Sequence, residues 1–116
     1  MAEVTLFGIP TCDTCRKARK WLGEQGIAHR FHDLRKDGLD LALLQSWEDK
    51  LGWERLLNRQ STTWRALPDA ETQGLDKKRA IVLMAQNVTL LKRPLLAAQN
   101  RLQLGFKATD YEAFFL

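Results

Sequence analysis

The sequence predicts a mixed α/β domain, a four-stranded sheet with flanking helices and an inserted helical subdomain. Three observations lead there. An apolar run at residues 3–8 is followed by Cys12-Asp13-Thr14-Cys15 and then by a stretch with helical spacing and a second apolar run, which reads as a β-α-β unit. Near the other end, two short runs joined by Gln99-Asn100 precede a last helix, a β-β-α order. The stretch between them is amphipathic at helical period.

Each element has its own signal. The first strand covers 3–8 and ends at Gly8 and Pro10. A helix follows over 13–25, where Cys15, Ala18, Trp21, Leu22 and Gln25 fall near one face and Gly26 suits the C-terminal cap. The second strand runs from Ile27 to Leu34, anchored by Phe31 and Leu34. Lys36-Asp37-Gly38 is a turn. Asp40 caps a helix carrying the stripe Leu41, Leu44, Trp47 and Leu51, stopped by Gly52. Trp53, Leu56 and Leu57 suggest a short helix, and Asn58 to Pro68 reads as a loop. Asp76 caps a further helix through Ala80, Ile81, Leu83 and Met84 that ends near Asn87. Arg93-Pro94-Leu95-Leu96 starts a strand, where a proline at the first position is tolerated because it donates nothing to the ladder. Leu102, Leu104 and Phe106 alternate with polar residues and Gly105 in a half-buried strand. Thr109-Asp110-Tyr111-Glu112 has the form of a capping box for the last helix. The sum is a thioredoxin-like core, 1–36 plus 89–116, around a helical insertion at 37–88, all within one domain of 116 residues.

Composition bounds the function. No apolar run approaches the ~20 residues of a membrane span, and the first residues lack a signal-peptide layout, so a cytoplasmic protein is expected. In that compartment two cysteines point to catalysis, redox sensing or metal binding and not to a permanent staple. A net charge of +4 suits anionic partners but is too mild to argue for nucleic acid, and no nucleic-acid motif is present.

Strand, C-x-x-C, helix is the context of a reversible dithiol/disulfide pair. Cys12 falls at the helix N-terminus, where unpaired N–H groups and the macrodipole favour a thiolate. Cys15 lies one turn further in, placed to attack a mixed disulfide on Cys12. Arg16, Lys17, Arg19 and Lys20 crowd the first turns against the dipole, which is easier to understand if they favour a thiolate or an anionic substrate. Arg16, beside Cys15, is the strongest candidate.

Zinc is the competing use of these cysteines, because His29-x-x-His32 follows at nearly the distance of a two-cysteine, two-histidine finger. The histidines are too close together, however, and an odd spacing on a strand points them to opposite faces. The reading is therefore no metal. Trp21, Trp47, Trp53 and Trp64 are assigned to packing, with Trp64 in a loop where it can line a pocket.

The chain resembles the ArsC/Spx/YffB family over essentially its whole length. Gly8-Ile9-Pro10-Thr11-Cys12-Asp13-Thr14-Cys15-Arg16-Lys17-Ala18-Arg19 is similar to that family's strand-to-helix active site, Lys92-Arg93-Pro94 to its basic cis-proline element, and Arg101-Leu102 to Gly105-Phe106 to its last strand. The resemblance is nearest to the YffB-like branch, through Phe31-His32-Asp33, Leu57-Asn58-Arg59, Thr62-Thr63-Trp64-Arg65 and Gly105-Phe106-Lys107. It implies a glutathione-linked thiol–disulfide oxidoreductase with Cys12 as nucleophile; many members of that branch lack the second cysteine, so Cys15 is a departure and suggests intramolecular resolution of the mixed disulfide. It also implies that Arg59, Arg93 and Lys107 bind anionic groups, that Pro94 is cis and faces Cys12, and that no cofactor is needed beyond glutathione as co-substrate. The expected partner is glutathione or a thioredoxin- or glutaredoxin-type reductant, acting on a monomer. Two alternatives stay open. An Spx-like regulator would use a redox switch to bind RNA polymerase, at the C-terminal domain of its α subunit. An arsenate reductase would use three arginines, where this chain offers Arg93, Arg59 beside another, and Lys107 in place of the third. Asp13 adds negative charge beside the nucleophile, and a lysine lacks arginine's bidentate fork.

Overall fold

The computed structural model describes residues 3–116, and its contacts divide them into two units. One unit holds the chain up to Asp37 together with Arg93–Leu116. The other is Gly38–Lys92, inserted in sequence between the second and third strands.

The first unit is a four-stranded mixed sheet. Strand β1 (Thr5–Gly8) leads to helix α1 (Asp13–Glu24), then strand β2 (Arg30–Asp33), and after the insertion come β3 (Leu95–Ala98), β4 (Arg101–Leu104) and helix α7 (Ala108–Phe115). The order across the sheet is β2-β1-β3-β4, with β1 parallel to β2 and antiparallel to β3, and β4 antiparallel to β3. This is the thioredoxin-like arrangement that the sequence predicts. Gln99 and Asn100, with φ of 55° and 62°, form the tight β3–β4 turn in the left-handed region that matches strand twist.

Helical spacing dictates what α1 buries. Cys15, Ala18 and Leu22 point inward, while the cations between them stay exposed. Ala18 and Leu22 meet Leu6 of β1, Leu96 and Ala98 of β3, and Tyr111 and Phe114 of α7 in one core. Burying each of the large apolar side chains contributes about 1.5–3 kcal/mol relative to exposure. Tyr111 is fully buried, edge-on to Phe106 (centroids 4.8 Å apart) and to Trp21 (5.6 Å). Its hydroxyl has no hydrogen-bond partner.

The second unit is helical: α2 (Leu41–Leu51), α3 (Trp53–Leu56), α4 (Thr62–Ala66), α5 (Asp69–Thr72), α6 (Lys77–Gln86) and a 3₁₀ turn at Val88–Leu90. Asp40 and Asp76 cap α2 and α6 through their carboxylates, accepting from the N–H groups of Ala42 and Arg79. Gly52 ends α2 at φ 83°. The unit closes on itself through a bridge between Leu57 and Leu91 and a Lys92 N–H bond to the Leu56 carbonyl (2.8 Å). Among the described residues no helix is long and apolar enough to cross a membrane.

Three local expectations need correction, and two short helical elements appear where the sequence assigned none. The stretch 58–68 is not all loop: Ser61 accepts from the Trp64 N–H and starts α4. The segment Asp69–Thr72 and the turn Val88–Leu90 are helical although too short to show a period. Strand β4 stops at Leu104, because Gly105 at φ 74° turns the chain before Phe106. The Thr109 capping box is not used: the extended residue before α7 is Lys107, so Thr109 already lies inside the helix.

The orphaned hydroxyl of Tyr111 yields a prediction. Tyr111→Phe removes a buried group that lost its water and gained no partner, so the reduced protein should be as stable or more stable. Tyr111→Ala should cost about 3–5 kcal/mol, as for other large aromatic truncations. Urea unfolding of both variants under reducing conditions checks this.

Candidate active site

Strand pairing assembles the site. Phe7 of β1 stands opposite Leu95 of β3, so the loop that leaves β1 toward Cys12 runs beside Arg93-Pro94, which enters β3. The Arg93–Pro94 bond is cis. Pro94 is buried, and its carbonyl accepts the Gly105 N–H at 2.8 Å, tying the start of β3 to the end of β4. The loop itself is held by the Cys12 N–H, which donates to the Ile9 carbonyl at 3.0 Å.

Cys12 is the N-cap of α1, extended at φ −78° and ψ 124°, and its carbonyl accepts the Arg16 N–H at 3.0 Å. Its side chain is half-buried and reduced, as is Cys15, which is fully buried. Burial alone would raise the Cys12 pKa. It is overcome by the Cys15 amide and thiol and by the Arg93 guanidinium, so the thiol sits below its ordinary value. The Cys12 side chain closes no full cap hydrogen bond; the partial positive charge of the Cys15 amide favours the thiolate all the same.

Cys15 has the opposite character. Burial first, and then the neighbouring Cys12, push its thiol up to about 12, against the Ile9 backbone hydrogen bond and Arg93. Adjacent sulfurs thus differ in character: Cys12 is partly accessible with its thiol below the ordinary value, and Cys15 is enclosed with its thiol well above it. Tyr111 also titrates above its ordinary range, because of burial and then the charge of a Cys15 thiolate.

The remaining predicted site residues fall as follows. Arg16 turns onto Asp13, one helical turn away on the exposed face, and the cation acting on Cys12 is Arg93. An ion pair this exposed contributes little to stability. Lys107 is exposed at the N-cap of α7, where its carbonyl accepts the Tyr111 N–H at 3.1 Å. Arg59 belongs to the second unit, with its guanidinium 5.8 Å from the Trp64 ring centroid. It lines a polar recess of about 380 Å³ with Glu54, Asn58, Gln60 and Lys92. The structure therefore brings together Cys12, Cys15 and Arg93, and Pro94 follows Arg93 across the cis bond. His29 bonds the Ile27 carbonyl through Nδ1 at 2.9 Å, and His32 packs 4.9 Å from the Phe7 ring. Sequence reasoning assigned no role to Gly8, although period-two alternation from the core residue Leu6 would have aimed it at α1.

Replacing Arg93 tests this electrostatic picture. Arg93→Met removes the cation that favours the Cys12 thiolate, so the pH midpoint of Cys12 alkylation should move upward and the rate at neutral pH should fall. Arg16→Met should leave both nearly unchanged.

The ArsC family model matches residues 7–114. A protein of Haemophilus influenzae is 44% identical over 112 residues, covering 97% of this chain and 98% of its own length. The global transcriptional regulator Spx of Streptococcus pyogenes is 33% identical over 114 residues, covering 96% of this chain and 84% of its own. The solved structure of a YffB protein superposes with a TM-score of 0.91 at 42% identity, covering 95% of this chain and 96% of that one. On that evidence, and with its cysteine pair set on a thioredoxin-like sheet, the chain belongs to the ArsC family.

Proposed function

We propose that the protein is a thiol–disulfide oxidoreductase that works with glutathione. The observation that supports this most is the unequal pair: Cys12 at the helix N-terminus with its thiol pKa lowered, Cys15 enclosed behind it with its pKa raised. The Cys12 thiolate attacks one sulfur of a substrate disulfide. A Cys12 mixed disulfide forms, and the first substrate thiol leaves and takes up a proton. Cys12 then carries no charge, which removes one of the influences that hold the Cys15 pKa high. Cys15 loses its proton and attacks the Cys12 sulfur, releasing the second substrate thiol and leaving a Cys12–Cys15 disulfide. Two glutathione molecules restore the dithiol and leave as glutathione disulfide. Arg93 steadies the Cys12 thiolate, Pro94 shapes the wall beside it, and Arg59 and Lys107 are the candidates for binding anionic groups of the thiol partner. On this reading the protein acts in the cytoplasm as a monomer without a bound cofactor.

A second reading has its own support, since the chain matches Spx over most of that regulator's length and carries a cysteine pair. It would then be a redox-switched module that binds the C-terminal domain of the RNA polymerase α subunit. Arsenate reduction has less support, because Lys107 cannot supply a bidentate fork and the Asp13 carboxylate lies next to Cys12 in sequence.

Trapping separates exchange from regulation. Cys15→Ser should accumulate a stable mixed disulfide with glutathione on Cys12, seen by intact mass, whereas wild type should pass on to the internal disulfide. Cys12→Ser should abolish exchange. Wild-type activity in Cys12→Ser would end the oxidoreductase reading. Redox-dependent capture by the polymerase domain, without exchange, would favour the regulator.

A further inference from the structure

Gly8 is the last residue of β1, buried, with its carbonyl accepting the Leu34 N–H at 2.9 Å. It is not among the glycines with positive φ, so its backbone does not require a glycine. What matters is the missing side chain. A Cβ built there would lie 2.6 Å from the Cys15 Sγ, 3.3 Å from the Cys15 Cβ and 3.4 Å from Cε1 of Phe31. The first distance is an overlap, the other two are close contacts. The Cys15 sulfur is fully enclosed and occupies the space that Gly8 leaves open.

That space belongs to one redox state. In the dithiol the two thiols lie close enough to perturb each other's titration. In a disulfide they are ~2.05 Å apart, so the two sulfurs must close on each other, and movement of the enclosed Cys15 sulfur toward Cys12 would draw it from the position it holds against Gly8. A side chain at position 8 would therefore crowd the dithiol more than the disulfide.

We propose that Gly8 is a positioning residue for redox poise: it houses the Cys15 sulfur in the dithiol and so shifts the Cys12/Cys15 couple toward the reduced form. The proposal rests on the exchange reading above. The balanced reaction is oxidation of the two thiols by glutathione disulfide. Cys12 and Cys15 each give up one proton and one electron, an S–S bond forms between them, and the S–S bond of glutathione disulfide breaks to give two glutathione thiols.

The test is an anaerobic titration of wild type and Gly8→Ala across ratios of glutathione to glutathione disulfide. Samples are acid-quenched, alkylated and weighed by mass spectrometry. Overpacking by one methyl group leads to an expected rise in the oxidation equilibrium constant on the order of tenfold for Gly8→Ala, or about 30 mV toward more negative potential. Coincident titrations would overturn the proposal and leave the exchange reading standing. A wild type that forms no Cys12–Cys15 disulfide at any ratio would overturn both. A companion pair guards against a variant that folds poorly. In a Cys15→Ala background the overlapping sulfur is gone, so Gly8→Ala should lower the unfolding midpoint far less than in the reduced wild-type background. An equal loss in both backgrounds would contradict the assignment of the sulfur as the group that needs the space.

Discussion

The antiparallel pairing of β1 with β3 is the constraint on which the active site depends. It sets Leu95 opposite Phe7, and the residues just outside that pair, Ile9 to Cys12 on one side and Arg93-Pro94 on the other, become neighbours. The two stretches lie at opposite ends of the chain, with the whole Gly38–Lys92 unit between them. Slipping the pairing by one residue would turn Leu6 and Leu96 out of the core and carry Arg93 away from the cysteines. The core formed by Leu6, Ala18, Leu22, Leu96 and Tyr111 therefore stabilises the register and the site together.

Within that frame the chemistry comes from unequal surroundings. Cys12 and Cys15 are one helical turn apart and feel the same guanidinium. One stands at the mouth of the helix, where backbone donors are unpaired; the other lies wholly inside the core beneath β1. Burial penalises the charged form of each, and only at Cys12 do amide, thiol and Arg93 together outweigh it. A nucleophile that ionises more readily than the resolving thiol is the division of labour a dithiol exchange needs. Gly8 belongs to the same design, since the enclosure that keeps Cys15 protonated depends on a strand that approaches the sulfur without a side chain.

Much of this was legible in the sequence. The strands, α1, α2 and α6 were marked by periodicity and by Asp40 and Asp76 at their caps, and Cys12 at the helix entrance followed from the spacing of the motif. Short elements were not legible: α4, α5 and the turn at Val88–Leu90 each complete barely one turn, too few residues for a period to emerge. The Thr109 box failed for a different reason. Its pattern was present, but Gly105 turned the chain earlier and the helix began before it. At the site, a string of adjacent cations made Arg16 look like the partner of Cys12. Asp13, also on the exposed face, pairs with it, while Arg93 arrives just ahead of a sequence-distant strand that only the sheet topology brings close. Gly8 looked like a strand terminator because a missing side chain leaves no mark until the atom that fills its space is seen.

Two sulfurs one turn apart have thiols shifted in opposite directions, and competitive alkylation of the reduced wild-type protein reads that difference at each of them. Limiting iodoacetamide at a series of pH values, followed by peptide mass mapping, gives the modification rate of each cysteine separately. Cys12 should be modified first, with a midpoint below the ordinary thiol value, and Cys15 should stay unmodified in the folded protein throughout the neutral range. Equal rates at the two cysteines, or a Cys12 midpoint at or above the ordinary value, would contradict this division between them.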